Sequence, residues 1–323
     1  MNKIINKNKE NVNKVIGEVE KTFNEPKKKN INVSWKFPQD HKQHKAIKEC
    51  CQSIFTTILE HQQNKNIKKN LSFFSCKSKF CPICNKVKSN KLSRIMYEKI
   101  TYLQNEDAQR FIFLTLTIKN IPISELDTAI KKMNKAWRNL WRSHFDKENR
   151  FNGFLKFLEI TFDKNGLAHP HFHILLSSNK NYFYKSNDKY LQTKDISKLW
   201  GQVLNVKYMP VVDIRIIKPK KDKQGNRIKK EAIPAVIAEM CKYPMKDTDY
   251  NKLSKSDMVE LYKELYRKRL MASGGNLKIS LAKVENDNNL NEVEELEEWK
   301  KIAYIVLKYI KGGYVVAGGD FYK

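Results

Sequence analysis

The chain has 323 residues, of which 41% are hydrophobic and 11% aromatic, so it can bury a core and is not disordered throughout. It carries 62 Lys and Arg residues against 35 Asp and Glu residues, which gives a formal net charge of +27 at pH 7. An excess of this size is more than solubility requires and indicates a polyanionic partner, either nucleic acid or an anionic membrane.

The membrane is the weaker of these two alternatives. No apolar run approaches the ~18 residues that a transmembrane helix needs. The N-terminus lacks the apolar stretch of a secretory signal, and no lipidation motif is visible. We therefore expect a cytoplasmic protein with no membrane partner, in which the six cysteines are reduced and favour metal binding over disulfides.

The start of the chain predicts a basic arm followed by a cysteine-rich module. Residues 1–40 are rich in Lys and Asn and show little apolar periodicity, which predicts a flexible basic arm. Apolar residues at helical spacing predict a helix over 41–60 and an amphipathic basic helix over 86–104. Three cysteines lie between these helices, so we assign residues 41–104 to one small module.

Strands and helices alternate through residues 105–275, which we assign to one domain. Lys164-Asn165-Gly166 predicts a tight turn, so the strands on either side pair as an antiparallel hairpin. This order indicates an α+β fold, a central antiparallel sheet with flanking helices, rather than a doubly wound parallel sheet. Residues 276–323 form a C-terminal tail with an acidic block and an amphipathic helix. The predicted strands are 111–118, 153–163, 169–176 and 211–217, and the predicted helices are 124–144, 194–205, 233–243, 255–272 and 293–311.

Three histidines, His169, His171 and His173, alternate along one predicted strand. Side chains at i, i+2 and i+4 of a strand share one face, so the imidazoles form half of a shell for a divalent metal. The hairpin turn brings the preceding strand alongside, and Glu159 on that strand is placed to reach the same metal. The alternatives are a polar strand face with incidental histidines and a solvent-facing carboxylate at Glu159.

Three segments together resemble the rolling-circle plasmid replication initiators of the HUH endonuclease superfamily. They are FLTLTIKN at 113–120, HPHFHILL at 169–176 and EMCKYPMK at 239–246, and the His-hydrophobic-His triplet is His171-Phe172-His173. The resemblance spans residues 45–250 and includes the order and rough spacing of the motifs. It implies a metal-dependent, site-specific nickase and strand transferase that acts on origin DNA, with Mn²⁺ or Mg²⁺ at the histidines.

The third motif, by the same resemblance, carries the nucleophile Tyr243 and a general base, Glu239. Attack by Tyr243 would leave a 5′-phosphotyrosyl link and a free 3′-hydroxyl, and Glu239 would activate a water at termination. On a helix the two side chains share one face because they are four residues apart. Lys242 and Lys246 flank the tyrosine and are expected to contact phosphates. The alternatives are a packed helix tyrosine, a surface glutamate and solvated lysines.

The segment Cys76-x4-Cys81-Pro-Ile-Cys84 resembles the zinc knuckle of the same family, in which a further cysteine lies upstream. Cys50 is the matching position, and Cys51 and His44 remain alternatives. Four thiolates would complete a closed structural Zn²⁺ site. Reduced, buried cysteines without a metal are the competing interpretation.

The loop before the tyrosine helix is strongly basic, and we expect it to hold DNA unless it is merely a solvated loop. The resemblance implies single-stranded or hairpin-extruded origin DNA as a partner, and a host helicase, since the chain has no Walker P-loop. A homodimer is left open. An HUH transposase or relaxase and a non-catalytic, zinc-containing DNA-binding regulator are the alternative functions. The DNA-binding candidates in the loop are Lys218, Lys220, Lys221 and Arg227.

Overall fold

The computed structural model describes residues 2–105, 107–183, 190–217, 220–221, 227–228, 237, 249–280 and 299–322. The chain divides into two compact units, Met1–Lys88 with Ala282–Lys323, and Ser89–Leu281. Each unit contains an antiparallel sheet and helices, which confirms the α+β class. Within the described residues, no helix combines the length and the apolar character that crossing a bilayer requires.

The described helices and strands are numbered in chain order. The helices are α1 (Asn2–Ser34), α2 (Lys42–Glu49), α3 (Pro82–Asn105), α4 (Leu126–Leu140), α5 (Thr193–Leu204) and α6 (Lys255–Glu264). The strands are β1 (Ser53–His61), β2 (Ile67–Phe73), β3 (Arg110–Thr117), β4 (Gly153–Phe162), β5 (Ala168–Ser178), β6 (Val212–Ile216), β7 (Lys220–Lys221), β8 (Arg227–Ile228), β9 (Met271–Gly275), β10 (Trp299–Ile310) and β11 (Gly313–Phe321).

The first unit is built on the sheet β11-β10-β1-β2, in which every neighbouring pair is antiparallel. Strand β1 lies between β2, which follows it directly in the chain, and β10, which comes from the C-terminal segment. The predicted helix over 41–60 is therefore two elements, α2 and β1. The helix ends because Cys51 adopts a left-handed backbone conformation, with φ at 56°.

Helix α1 occupies the region expected to be a flexible arm at residues 1–40. It buries a stripe that runs from Val12 through Val19 and Phe23 to Val33. The stripe also includes Lys27 and Asn30, whose side chains are fully buried. These two polar members hide the apolar period in a Lys- and Asn-rich sequence, which is why the composition indicated an arm.

The C-terminal segment also differs from the expected tail. Residues 299–310, which the sequence predicted within a helix over 293–311, form strand β10. This stretch is rich in β-branched and aromatic residues, and pairing with β1 buries Ile302, Ile305 and Leu307. The acidic block at 285–298 lies outside the described residues.

The second unit is built on the sheet β6-β3-β5-β4-β9, which is antiparallel throughout. Strands β3, β4, β5 and β6 lie at the predicted positions, and α4 and α5 lie where helices were predicted. The predicted helix over 255–272 is shorter, because α6 ends at Glu264 and β9 begins at Met271. The predicted helix over 233–243 lies outside the described residues, apart from Ile237.

The turn between β4 and β5 sets the register of the central hairpin. Oδ1 of Asp163 accepts hydrogen bonds from the backbone N–H groups of Asn165 and Leu167, at 2.9 and 3.0 Å. Gly166 has φ at 77°, a conformation that glycine adopts without steric cost. The resulting register places Glu159 opposite His171. A slip of one residue would move every side chain of β4 to the other face.

Candidate metal centres

Glu159, His171 and His173 converge on one face of the central sheet. The Oε2 atom of Glu159 lies 2.6 Å from Nε2 of His173 and 3.4 Å from Nε2 of His171. One ligand atom from each of the three residues can be chosen so that all lie within 4.8 Å of one another. Two imidazole nitrogens and a carboxylate oxygen at this spacing can hold one divalent metal ion.

The other nitrogen of each ring is held by a second contact. Nδ1 of His171 lies 3.0 Å from the carbonyl oxygen of His169, and a carbonyl can only accept, so Nδ1 carries the proton. The lone pair of neutral His171 is therefore on Nε2, the atom that faces Glu159. Nδ1 of His173 lies 3.2 Å from the hydroxyl of Thr115 on the neighbouring strand. Second contacts of this kind fix the tautomer and the orientation of metal-binding histidines.

The environment of Glu159 keeps its carboxylate charged. Burial by itself would raise the pKa of Glu159, but its side-chain contacts with His171 and His173 outweigh burial and hold the pKa well below its usual value. All three side chains keep a small exposed fraction, between 10% and 18%. The cluster is therefore largely buried and still accessible to a ligand.

His169 stands beside this cluster rather than within it. Its ring centroid is 5.2 Å from that of His171, but it is absent from the group of three ligands that the described residues provide here. Burial, followed by the nearby His171, lowers the pKa of His169, although a hydrogen bond to the carbonyl of Ile118 partly offsets the decrease. The sequence grouped three histidines, and the structure brings two of them together with Glu159.

Four cysteines, Cys50, Cys76, Cys81 and Cys84, form a second cluster, in the first unit. The sulfur of Cys50 lies 3.5 Å from that of Cys84 and 3.6 Å from that of Cys81, and the Cys76 and Cys84 sulfurs are 3.7 Å apart. A tetrahedral ion with bonds of ~2.3 Å to sulfur requires sulfur separations of about 3.8 Å. The described cysteines are free thiols whose sulfurs lie too far apart for disulfides, and their spacing is one that could hold a metal ion.

The four thiols of the cluster influence one another's pKa values through hydrogen bonds among the sulfurs. Burial, followed by hydrogen bonds among the sulfurs, raises the pKa of Cys81. Hydrogen bonds from Cys50, Cys76 and Cys81 outweigh burial at Cys84 and hold its pKa below the usual range. The Cys84 thiol therefore loses its proton most readily, and a bound cation would favour deprotonation of the other three thiols as well.

The structure distinguishes Cys50 from the alternatives at this position. Cys51 points away from the cluster, where its sulfur lies 3.3 Å from the hydroxyl of Tyr314, and burial raises the pKa of Cys51 to about 12. Nδ1 of His44 lies 2.9 Å from the carbonyl oxygen of Ser34, and this ring is no part of the cysteine group.

Helix α1 supplies two polar side chains beside the cysteines that the sequence did not reveal. Nζ of Lys27 donates to the carbonyl oxygens of Lys48 and Cys50, both at 2.7 Å. Oδ1 of Asn30 accepts from the backbone N–H of Ile83 at 3.2 Å and lies 3.4 Å from the sulfur of Cys81. The ammonium group of Lys27 would reduce the cost of burying these sulfurs as thiolates in a metal-bound state.

Several predicted functional residues lie outside the described residues. These are Tyr243, Glu239, Lys242, Lys246 and Lys218. The backbones of Lys220, Lys221 and Arg227 belong to the two-stranded ribbon of β7 and β8, in which Lys221 pairs with Arg227.

Thr115 is a further residue that the sequence undervalued. Thr115 lies in the first motif, FLTLTIKN, in which the sequence indicated no candidate site residue, yet its hydroxyl touches a ring of the candidate site. Strand pairing supplies the missing signal, because Thr115 lies directly opposite His173 in the antiparallel register.

Comparisons with known proteins agree with the motifs. The model of the replication protein family matches residues 67–312, a range that includes Glu159, His171, His173 and three of the four clustered cysteines. "Protein rep" of Streptococcus pneumoniae serotype 2 is 34% identical over 243 residues, which cover 72% of each chain. "Protein rep" of Staphylococcus aureus is 30% identical over 232 residues, 69% of this chain and 92% of the relative. No solved structure matches the chain. The chain belongs to the replication protein family.

Proposed function

We propose that this chain is a plasmid rolling-circle replication initiator, a metal-dependent nickase and strand transferase specific for origin DNA. The observation that carries the proposal is the convergence of Glu159, His171 and His173 on one face of a rigid hairpin. Membership of the replication protein family supports the biological role. A net charge of +27 supports a nucleic-acid substrate, since such charge gives strong and salt-dependent affinity for phosphates.

Nε2 of His171, Nε2 of His173 and a carboxylate oxygen of Glu159 would hold the catalytic metal. Mn²⁺ suits this mixed set of nitrogen and oxygen ligands, whereas Mg²⁺ has a stronger preference for oxygen. When bound, the ion would polarise the scissile phosphate and stabilise the charge that develops on it. His169 would support the cluster through its carbonyl oxygen, which accepts from Nδ1 of His171.

Tyr243 would perform the covalent step. Its phenolic oxygen attacks the phosphorus of one phosphodiester, the bond from phosphorus to the 3′ oxygen breaks, and that oxygen leaves as a 3′-hydroxyl after gaining a proton. The 5′ end stays linked to the tyrosine, so the bond energy is retained for rejoining. A phenol has a pKa of about 10, and Lys242 and Lys246 would favour its ionised form. At termination Glu239 would take a proton from the attacking water.

The four cysteines would hold a structural Zn²⁺ ion. Thiolates are the ligands that zinc prefers in closed structural sites, and the sulfur separations fit its tetrahedral geometry. This ion would stabilise the first unit and leave no open position for a substrate.

DNA would be held by phosphate contacts from the basic loop, through Lys218, Lys220, Lys221 and Arg227. The partners in this proposal are origin DNA and a host helicase, with a second copy of the chain as an option, and the setting is the cytoplasm. An HUH transposase or relaxase would share the same chemistry and differ in the DNA that it recognises.

Formation of a covalent adduct tests this function. The full chain is incubated with Mn²⁺ and single-stranded origin oligonucleotides, and the products are separated on a denaturing gel. We expect an adduct with the wild type and with the control Tyr102→Phe, whose ring is 60% exposed, but none with Tyr243→Phe. An adduct with Tyr243→Phe would overturn the mechanism. DNA binding without any wild-type adduct would favour the non-catalytic regulator.

A further inference from the structure

A cationic cavity of about 530 Å³ lies beside helix α4 and strands β4 and β9, within the second unit. Apolar side chains such as Ile130, Leu158 and Leu270 form part of its wall. A volume of this size is typical of sites for small molecules and accommodates a mononucleotide. Its wall also contains six cations, which are Lys131, Arg138, Lys156, Lys268, Arg269 and Lys278.

Lys156 is the buried centre of this group. Lys156 and Glu159 are three residues apart on strand β4, so their side chains point to opposite faces of the sheet. Lys156 and Leu158 therefore lie on the face opposite the candidate metal ligands. Only 4% of Lys156 is exposed. Its Nζ donates to Oδ1 of Asn134 at 2.6 Å and lies 3.6 Å from the ring centroid of Phe172. In the described part of the chain no carboxylate pairs with it.

The charges around Lys156 are unbalanced. Lys131 and Lys268 pair with Asp127 at one end of the cavity. Arg138, Arg269 and Lys278 have no carboxylate partner among the residues that the structure describes. Burial and, to a lesser extent, the nearby charge of Arg138 together lower the pKa of Lys156 to about 7. A buried cation among like charges is costly, and an anion bound in the cavity would remove that cost.

We propose that this cavity binds a nucleoside phosphate, with Lys156 as the buried partner of the phosphate group and Arg138, Arg269 and Lys278 around it. The apolar part of the wall would accept the base, and the cations would accept the phosphate oxygens. The nucleotide can come from two sources, a free mononucleotide or a nucleotide of a DNA strand. This site is separate from the proposed nicking chemistry, so either can hold without the other.

Calorimetric titration of the full chain, without added divalent metal, tests the proposal. The probes are dTMP, thymidine, inorganic phosphate and an eight-residue oligothymidylate. We expect saturable binding of dTMP, weaker binding of phosphate and at least tenfold weaker binding of thymidine. Displacement of dTMP by the oligonucleotide would assign the site to a DNA strand, whereas dTMP binding without displacement would assign it to a free nucleotide. Absence of dTMP binding, or equal binding of thymidine, would overturn the proposal.

Three substitutions locate the binding. Lys156→Met keeps the length of the side chain without its charge, and we expect it to weaken dTMP binding at least tenfold. Arg269→Met at the exposed rim should weaken it about threefold and gives a second variant if Lys156→Met does not fold. Lys132→Met, on the exposed side of α4, is the control and should change the affinity less than twofold. Unchanged affinity in both cavity variants would also overturn the proposal.

Stability separates a ligand-binding role of Lys156 from a structural one. An unfolded lysine has a pKa of about 10.4, so between about pH 7 and 10 the unfolded chain binds more protons at this position than the folded chain. The ligand-free wild type should therefore gain stability as the pH rises through this window, and Lys156→Met should lack that gain. At pH 7 we expect a higher Tm for Lys156→Met than for the wild type. A lower Tm would show that Lys156 stabilises the fold and would contradict the proposal.

Discussion

The two candidate metal clusters differ in the number of their ligands and in their accessibility. Four sulfurs surround the centre of the cysteine cluster, and three of the four residues are buried. Three ligands stand around the Glu159 cluster, and each keeps part of its side chain exposed. A full set of protein ligands closes a metal to chemistry, whereas a missing ligand leaves a position for water or substrate. The same chain thus contains one arrangement suited to stabilising a fold and one suited to a reaction.

The two clusters also differ in how the chain assembles them. Glu159 and His171 face each other across one hairpin, so the turn at Asp163 decides their alignment. Cys50 and Cys84 are separated in the chain by β1 and β2, and α1 adds Lys27 from further upstream. The first cluster depends on local register, and the second depends on packing between distant segments.

The largest effect is expected from Cys81→Ser. Structural zinc contributes roughly 10 kcal/mol to small zinc domains, and loss of one ligand should remove on the order of 5 kcal/mol of unfolding free energy from the first unit. Urea unfolding and the zinc content by mass spectrometry measure this. Cys51→Ser is the matched control, because Cys51 is buried but outside the cluster, and it should keep one zinc per chain. Full zinc content and unchanged stability of Cys81→Ser would contradict the role of the cysteine cluster in stabilising the fold.

His171→Ala is expected to change the reaction and leave the fold intact. Loss of a metal ligand in a site that stabilises phosphate charge should slow adduct formation about 10³-fold, or by ~4 kcal/mol. His169→Ala is the matched control and should cost less than about tenfold, since its ring lies outside the ligand group. Single-turnover nicking rates and Tm values are measured for both variants. Equal losses in the two variants would place His169 among the ligands.

Lys27→Met tests the polar support of the cysteine cluster. It leaves the carbonyl oxygens of Lys48 and Cys50 without their donor, and each buried unpaired carbonyl costs roughly 1 to 2 kcal/mol. We therefore expect a loss of about 3 kcal/mol in urea unfolding, with the nicking rate of the folded protein unchanged. Lys28→Met, on the exposed side of α1, should leave the unfolding curve unchanged. If the nicking activity falls by more than the fraction of folded protein does, the cysteine cluster affects the reaction itself. That result would contradict the separate roles of the two clusters.

Thr115→Val should have the smallest effect. The substitution keeps the shape of the side chain and removes the hydroxyl that lies beside Nδ1 of His173. Loss of such a second contact typically costs about tenfold in metal affinity. The Mn²⁺ dependence of the nicking rate measures this loss, and the maximal rate at saturating Mn²⁺ should recover. Thr161→Val, on the same face and opposite His169, is the control and should leave the Mn²⁺ dependence unchanged.

The central hairpin could be predicted from the sequence because its signals are local. Alternation of apolar residues, the Asn165-Gly166 turn and the histidine spacing all lie within about twenty residues. Strand parity then places Glu159 on the face of His171. The position of His169 outside the ligand group depends on ring orientation and on the carbonyl of Ile118, which no sequence pattern reports.

The first unit was harder to predict because its structure depends on contacts between residues that are far apart in the sequence. Helix α1 looks polar in the sequence, since Lys27 and Asn30 point into the cysteine cluster instead of into solvent. Strand β10 carries a helical as well as a strand pattern, and its pairing with β1 decides between them. Lys156 was likewise hidden, because a lysine within an apolar strand gives no sign of the cavity that surrounds it.

The pairing of β1 with β10 has a consequence for synthesis on the ribosome. About 250 residues separate the two strands, and at roughly 5 to 20 residues per second β1 waits some 10 to 50 s for its partner. The whole second unit leaves the ribosome during that time and can fold first. The four cysteines all precede residue 85, so metal capture can hold the nascent N-terminal segments together until the last strands arrive.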